Sequence, residues 1–196
     1  MSRPYEKTNE IPDLTPAEFS PEERHILLQI AHQAILLHFT DRAAPAAPAS
    51  PRLSEPRGVF TTLYLRGRLR GCVGYALPVA PLYRAVAETA RAAAFDDSRF
   101  QPVSQDEAAE LAVSLSILSL VFLIRPEEVE VGRHGLLISL GSHRGLLLPQ
   151  VPVEYGWDRE TFLGQTCRKA GLPADALRKG AVLEAFTAEV FGDESA

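Results

Sequence analysis

Cysteine is scarce in this chain: Cys72 and Cys167 are the only two in 196 residues. Two thiols build no disulfide framework, and a reduced, cytoplasmic protein is the expectation. Five histidines leave little to hold a metal. No Cys-x-x-Cys, His-Glu-x-x-His or paired Cys/His spacing occurs, so no metal site is expected. No glycine-rich phosphate cradle is present either, and no cofactor is implied. No apolar run approaches the length of a membrane span. The opening MSRPYEKTNEIPDLTP lacks the apolar core of a secretory leader. Positive charge is not in excess: 20 Lys and Arg stand against 25 Asp and Glu, a net charge of -5. General attraction to nucleic acid or anionic membrane is therefore absent, and duplex DNA is expected to bind weakly and without sequence preference. The local exception is the cluster Arg66, Arg68, Arg70.

What is present suits one globular domain. Hydrophobic residues make up 46% and charged residues 23%, which excludes disorder. Residues 1–19 are polar and proline-bearing and read as a loosely attached lead-in. A helix then starts at Ser20 as N-cap, with Pro21 at N1 and Glu23 completing a capping box. Its apolar positions recur at helical spacing from Ile26 to Leu37, and Asp41 marks its end. APAAPASPRLSEP is a proline-rich loop. GVFTTLYL and RLRGCVG read as two strands joined at Arg66-Gly67.

PLYRAVAETARAAAF is a helix with Pro81 at N1 and Leu82, Val86, Ala90 and Ala93 on its apolar face. SQDEAAEL adds a helical turn, and LAVSLSILSL is a long strand. GLLISLGSHRGLLLP is a hairpin with a Gly-Ser-His-Arg-Gly tip. Asp158 caps a last helix that stops at Gly171. AVLEAFTAEVF alternates as one closing strand, and residues 192–196 read as a tail. Hairpins dominate over βαβ alternation. The expected class is α+β, mostly antiparallel sheet with flanking helices, over residues 20–191.

The chemistry centres on LRGCVGY. Strict pairing away from the Arg66-Gly67 turn sets Leu63 opposite Arg70 and Thr61 opposite Cys72. Phe60, Tyr64, Leu69 and Val73 then share the core face. Cys72 falls beside Arg68 and Arg70, where positive charge favours a reactive thiolate. Gly71 and Gly74 remove bulk on either side and leave room for a ligand. The competing reading is that Cys72 is a small core filler, as free cysteines usually are.

Around it, His134 is a candidate proton carrier against the plainer reading of a solvated turn histidine. Asp97 and Arg99 suggest an anion site, or equally an ion pair anchoring their loop. Gln150 and Glu154 are candidates for lining a pocket, with Glu154 as a possible base. His25, His32, His38 and His143 have no chemical context, and Cys167 belongs to a core helix.

LRGCVGY resembles the LRGCIG hallmark of the AMMECR-one domain family, with Val73 in place of isoleucine. The likeness continues in order through GVFTTLY, AAAFDDSRFQPVS, GRHGLLI, RGLLLPQV, EYGWDRETFL and CRKAGLP. SLVFLIRPEEVEV departs from the family's usual proline-containing stretch, and the loop at 43–56 is particular to this chain. The resemblance implies two unequal lobes with the LRGC hairpin at or near the cleft between them. It implies kinship with the AmmeMemoRadiSam system, with MEMO-like and radical-SAM proteins as partners, and suggests a nucleotide or RNA substrate or an adaptor role. It supplies no reaction.

Two functions follow. One is an enzyme or enzyme component, with Cys72 as nucleophile or attachment thiol, His134 as proton carrier, Arg70 holding an anionic group and Asp97 with Arg99 ordering the cleft. The other is a non-catalytic binding module.

Overall fold

The computed structural model describes residues 17–40 and 47–194. The first helix, α1 (Pro21–Leu36), begins as its sequence dictates. The Ser20 hydroxyl accepts the Glu23 N–H, and the Glu23 carboxylate accepts the Ser20 N–H. The expected stop at Asp41 and residues 43–46 of the proline-rich loop lie outside the described residues, as do residues 1–16 of the lead-in. Glu18 and Phe19 are not loose. Their backbone N–H groups donate to the buried Glu189 carboxylate at 2.6 and 3.3 Å, and the Phe19 ring is buried in the core.

After α1 come β1 (Val59–Leu65), β2 (Arg68–Tyr75), α2 (Leu82–Phe95), α3 (Gln105–Ala108), β3 (Leu111–Leu118) and β4 (Phe122–Leu123). Then follow β5 (Gly135–Leu140), β6 (His143–Leu147), α4 (Gln150–Glu154), α5 (Arg159–Lys169), β7 (Val182–Phe186) and β8 (Ala188–Gly192). They build two antiparallel sheets, ordered β2-β1-β3-β8 and β4-β7-β5-β6. The class is α+β, as the hairpin-rich pattern requires. Helices α1 and α2 cover one face of the first sheet, where Leu27, Ile35, Val59, Leu63, Val86 and Leu115 share the larger core. Helix α5 packs on β5 and β6, and Phe162 and Cys167 fill a smaller core with Leu136 and Ile138.

Several expectations change at the joins. AVLEAFTAEVF is two strands in two different sheets, broken at Thr187. There the chain crosses the link between β3 and β4. Ser119 N–H donates to the Thr187 carbonyl at 2.9 Å, and Thr187 N–H donates to the Ser119 hydroxyl at 3.0 Å. Both links between the sheets are thus fastened at one crossing. Strand β4 lies where periodicity predicts no element. The tip of the β5–β6 hairpin is only Gly141 and Ser142, with His143 and Arg144 inside β6. Pro81 is the N-cap of α2 instead of its first residue. The expected tail is tied down at its start. Gly192 closes β8, and the Asp193 carboxylate accepts from the Val113 N–H and bonds the His32 ring.

Candidate functional site

The hairpin that carries Cys72 closes in a two-residue turn with φ of 52° at Arg66 and 73° at Gly67. Two positive values make a type I′ turn, whose twist matches the flanking strands. Leu65 then faces Arg68 and Tyr64 faces Leu69, as alternation predicts. The next step departs from it. Leu63 faces Gly71, so Arg70 is an extra residue on β2 and the strand bulges. The bulge moves everything beyond it by one position. Cys72 pairs with Thr62, not Thr61, and Val73 pairs with Thr61.

This slip redistributes the two faces. Val59, Thr61 and Leu63 are fully buried against the helices, and the Thr61 hydroxyl bonds Thr89 of α2 at 2.8 Å. Phe60 and Tyr64, expected in the core, lie with Thr62 and Cys72 on the outer face of the sheet, and each is half-buried. The Thr62 hydroxyl donates to the Cys72 sulfur at 3.4 Å. Ser114 of β3 pairs with Thr62 from the other side, so thiol and two hydroxyls form one row across three strands.

Arg70 is not Cys72's neighbour on that face. Its guanidinium turns to α3, donating to both Glu107 oxygens at 3.3 and 3.1 Å and to the Pro102 carbonyl at 3.3 Å. The Arg70 bonds hold the Glu107 carboxyl below its ordinary pKa. Arg70 Nε and Nη2 are engaged by Glu107 and Pro102, while its buried Nη1 has no hydrogen-bond partner among the described residues. Arg68 stands exposed near the turn.

The guanidinium at Cys72 is that of Arg99. Strand β2 is an edge strand, and at Cys72 its outward backbone groups are taken by the loop after α2. Asp97 accepts the Cys72 N–H at 2.9 Å, and Arg99 donates to the Cys72 carbonyl at 3.4 Å. The two side chains pair at 2.7 Å, with Asp97 buried and Arg99 more than half exposed. Hydrogen bonds from Arg99, then from the Cys72 and Arg99 N–H groups, hold the Asp97 carboxyl far below its ordinary pKa. The pair imitates a neighbouring strand and closes the edge. It anchors its loop, and as an ion pair it sets a carboxylate and a guanidinium together beside the Cys72 backbone.

The room attributed to the glycines is filled from within the protein. A Cβ on Gly71 would lie 2.0 Å from the Ala93 carbonyl oxygen, and one on Gly74 would lie 2.3 Å from the Phe60 ring. Both residues are small because α2 and Phe60 pack directly on them.

The other candidates stand apart. His134 precedes β5 in the second sheet and is buried, with Nδ1 accepting the Glu130 N–H at 3.0 Å. Among the described residues no hydrogen bond or ion pair joins it to Cys72. Gln150 and Glu154 are exposed on α4 and line neither the cavity beside the start of α1 nor the one beside Gly58. Cys167 is buried, and burial pushes its thiol pKa up. Among the described residues no group of acidic, histidine and cysteine side chains could hold a metal ion. No helix there is long and apolar enough to cross a membrane. Thr62, Ser114 and Glu107 were invisible to alternation. The Arg-Gly pair inside a strand was the available signal for the bulge that selects them.

Comparison with known proteins agrees on kinship. The family model described as AMMECR1 matches residues 28–191. A protein of Thermococcus onnurineus is 46% identical over 162 residues, covering 76% of this chain and 79% of that one. A protein of Thermococcus kodakarensis is 43% identical over 182 residues, covering 86% and 89%. The crystal structure of an uncharacterized protein from Pyrococcus horikoshii is similar at a TM-score of 0.68 and 42% identity, covering 86% of this chain and 90% of that one.

Proposed function

The chain belongs to the AMMECR1 family, and on that premise we propose that it is the ligand-binding component of an enzyme system, with Cys72 as the thiol that meets the ligand. The observation that carries this reading is the position of Cys72: half-exposed on the outer face of the first sheet, with the Thr62 hydroxyl donating to its sulfur. Arg99, exposed and fixed beside the same residue, is the cation for an anionic ligand group. Its Nε and Nη2 are held by the Asp97 carboxylate, so the ligand group would meet the Nη1 edge of the guanidinium.

No His, Asp or Glu side chain among the described residues hydrogen-bonds the sulfur. A proton transfer at this thiol would then come from the ligand or from a partner protein, which favours a component over a self-sufficient enzyme. The MEMO-like and radical-SAM proteins implied by the family resemblance are the proposed partners, and the proposed place of action is the cytoplasm. The half-buried Phe60 and Tyr64 rings flanking the Cys72 row offer stacking surfaces that a nucleotide base would use. A long RNA backbone is disfavoured by the net charge of -5.

The test is capture. Purified wild-type protein and the Cys72→Ser and Arg99→Gln variants are incubated with a cell extract, and bound metabolites and RNA are identified by mass spectrometry. The expected result is a small anionic species retained by wild type and lost from both variants. The same retained set in all three proteins would contradict the proposal.

A further inference from the structure

The second sheet is an insertion in the first. Strand β3 ends at Leu118 and β8 begins at Ala188, and the chain between them forms β4 to β7 with α4 and α5. We propose that this inserted lobe swings as a body on the Ser119–Thr187 crossing, which makes the molecule a hinged pair of lobes. The proposal goes beyond the Cys72 reading and stands without it.

Three features of the junction carry it. The two hydrophobic cores share no residue, so each lobe keeps its own packing when the other moves. The lobes are also scarcely fastened to each other. Among the described residues no helix or strand of one packs broadly on one of the other. No ion pair joins them there, and no hydrogen bond except the two at the crossing. The third feature is the path of the chain. It leaves the first sheet through Ser119, Leu120 and Val121 and returns through Thr187 alone. The reciprocal bonds of Ser119 and Thr187, at 2.9 and 3.0 Å, bring both tethers to one point. Tethers set far apart resist rotation, whereas two at one point form a pivot.

Beside the pivot the lobes leave a wedge of empty space. It has a volume of about 270 Å³, with Gly58, Ala76, Pro78 and Leu118 on one side and Phe186 on the other. The link residues Leu120 and Val121 line it as well. Side chains that interlocked here would have to be pulled apart before the lobes could turn. Closing the wedge buries apolar surface, and opening it uncovers Leu118 and Phe186, both now buried. The motion is thus bounded on the open side by the exposure of these two side chains. Leu120 and Val121 stay exposed while they turn.

The test uses the full ¹⁵N-labelled chain in a dilute aligning medium. Backbone N–H residual dipolar couplings from α1, α2 and β1–β3 are fitted apart from those of β5–β7 and α5. Couplings average over motions slower than those seen by relaxation, and hinge rotation on the microsecond-to-millisecond scale reduces those of the swinging lobe. Each set is expected to fit its own lobe, with alignment strengths that differ by about 1.5-fold or more between lobes. Ser119→Ala removes the acceptor of the Thr187 N–H and is expected to widen that ratio. Equal alignment strengths in the wild-type chain, whatever the relative orientation of the lobes, would overturn the proposal. So would an unchanged ratio in Ser119→Ala. Should that variant not fold, the wild-type ratio decides.

Discussion

Cys72 and His134 show how far a residue's chemistry depends on its neighbours. Each has a catalytic residue type, yet Cys72 lies in the first sheet and His134 in the turn before the second, and no hydrogen bond joins them among the described residues. His134 is committed to its own loop. Its Nδ1 accepts the Glu130 N–H, so the proton of the neutral ring sits on Nε2. Burial pushes its pKa below the ordinary value, with Arg133 adding to the effect and Glu130 opposing it. The native state therefore resists protonating this ring while the unfolded chain accepts a proton at about pH 6.5. The resulting stability is present above that pH and is lost as pH falls through it toward the lower native value. Urea unfolding between pH 8 and 5 is expected to show this loss. His134→Asn, which keeps an acceptor for Glu130, should flatten that part of the profile. A variant with an unchanged slope would show that other groups govern it.

Among the elements, the β1–β2 hairpin decides the site. Its turn and first two pairs follow from Gly67 and the strand pattern, and the bulge at Arg70 does not. A one-residue slip exchanges the faces of every residue beyond it, which is why Thr62 and not Thr61 meets the sulfur. The bulge has a reason in packing. Helix α2 lies so close to β2 that Gly71 faces its backbone, and Arg70 is freed to reach Glu107. Gly71→Ala would set a methyl group against the Ala93 carbonyl, where backbone cannot yield cheaply. It is expected to cost about 3 kcal/mol, read as a lower midpoint in chemical unfolding. An unchanged midpoint would mean that α2 does not hold the hairpin in this way.

At the scale of the whole molecule, the α+β class was legible because three features are local: alternating strands, the capping box at Ser20, and hairpin turns at glycine. The split into two sheets was not legible from pattern. Alternation runs unbroken through Thr187, and only the bonds to Ser119 reveal that the chain changes sheets there. The site was half legible. Cys72, Asp97 and Arg99 do come together, but through backbone bonds along a sheet edge that residue types alone do not announce.

On the proposed reading, Cys72 presents a usable thiol on the outer face of the first sheet. Brief labelling of the native protein with iodoacetamide, followed by peptide mapping, tests it most directly. Iodide leaves as the sulfur is alkylated, so the rate reports access to the sulfur and its nucleophilicity. Cys72 is half-exposed with Thr62 at its sulfur, while Cys167 is buried in the smaller core with its thiol pKa raised. Cys72 is expected to be modified first, and Arg99→Gln is expected to slow the reaction. Labelling of Cys167 as fast as Cys72, or no native labelling of Cys72, would contradict it.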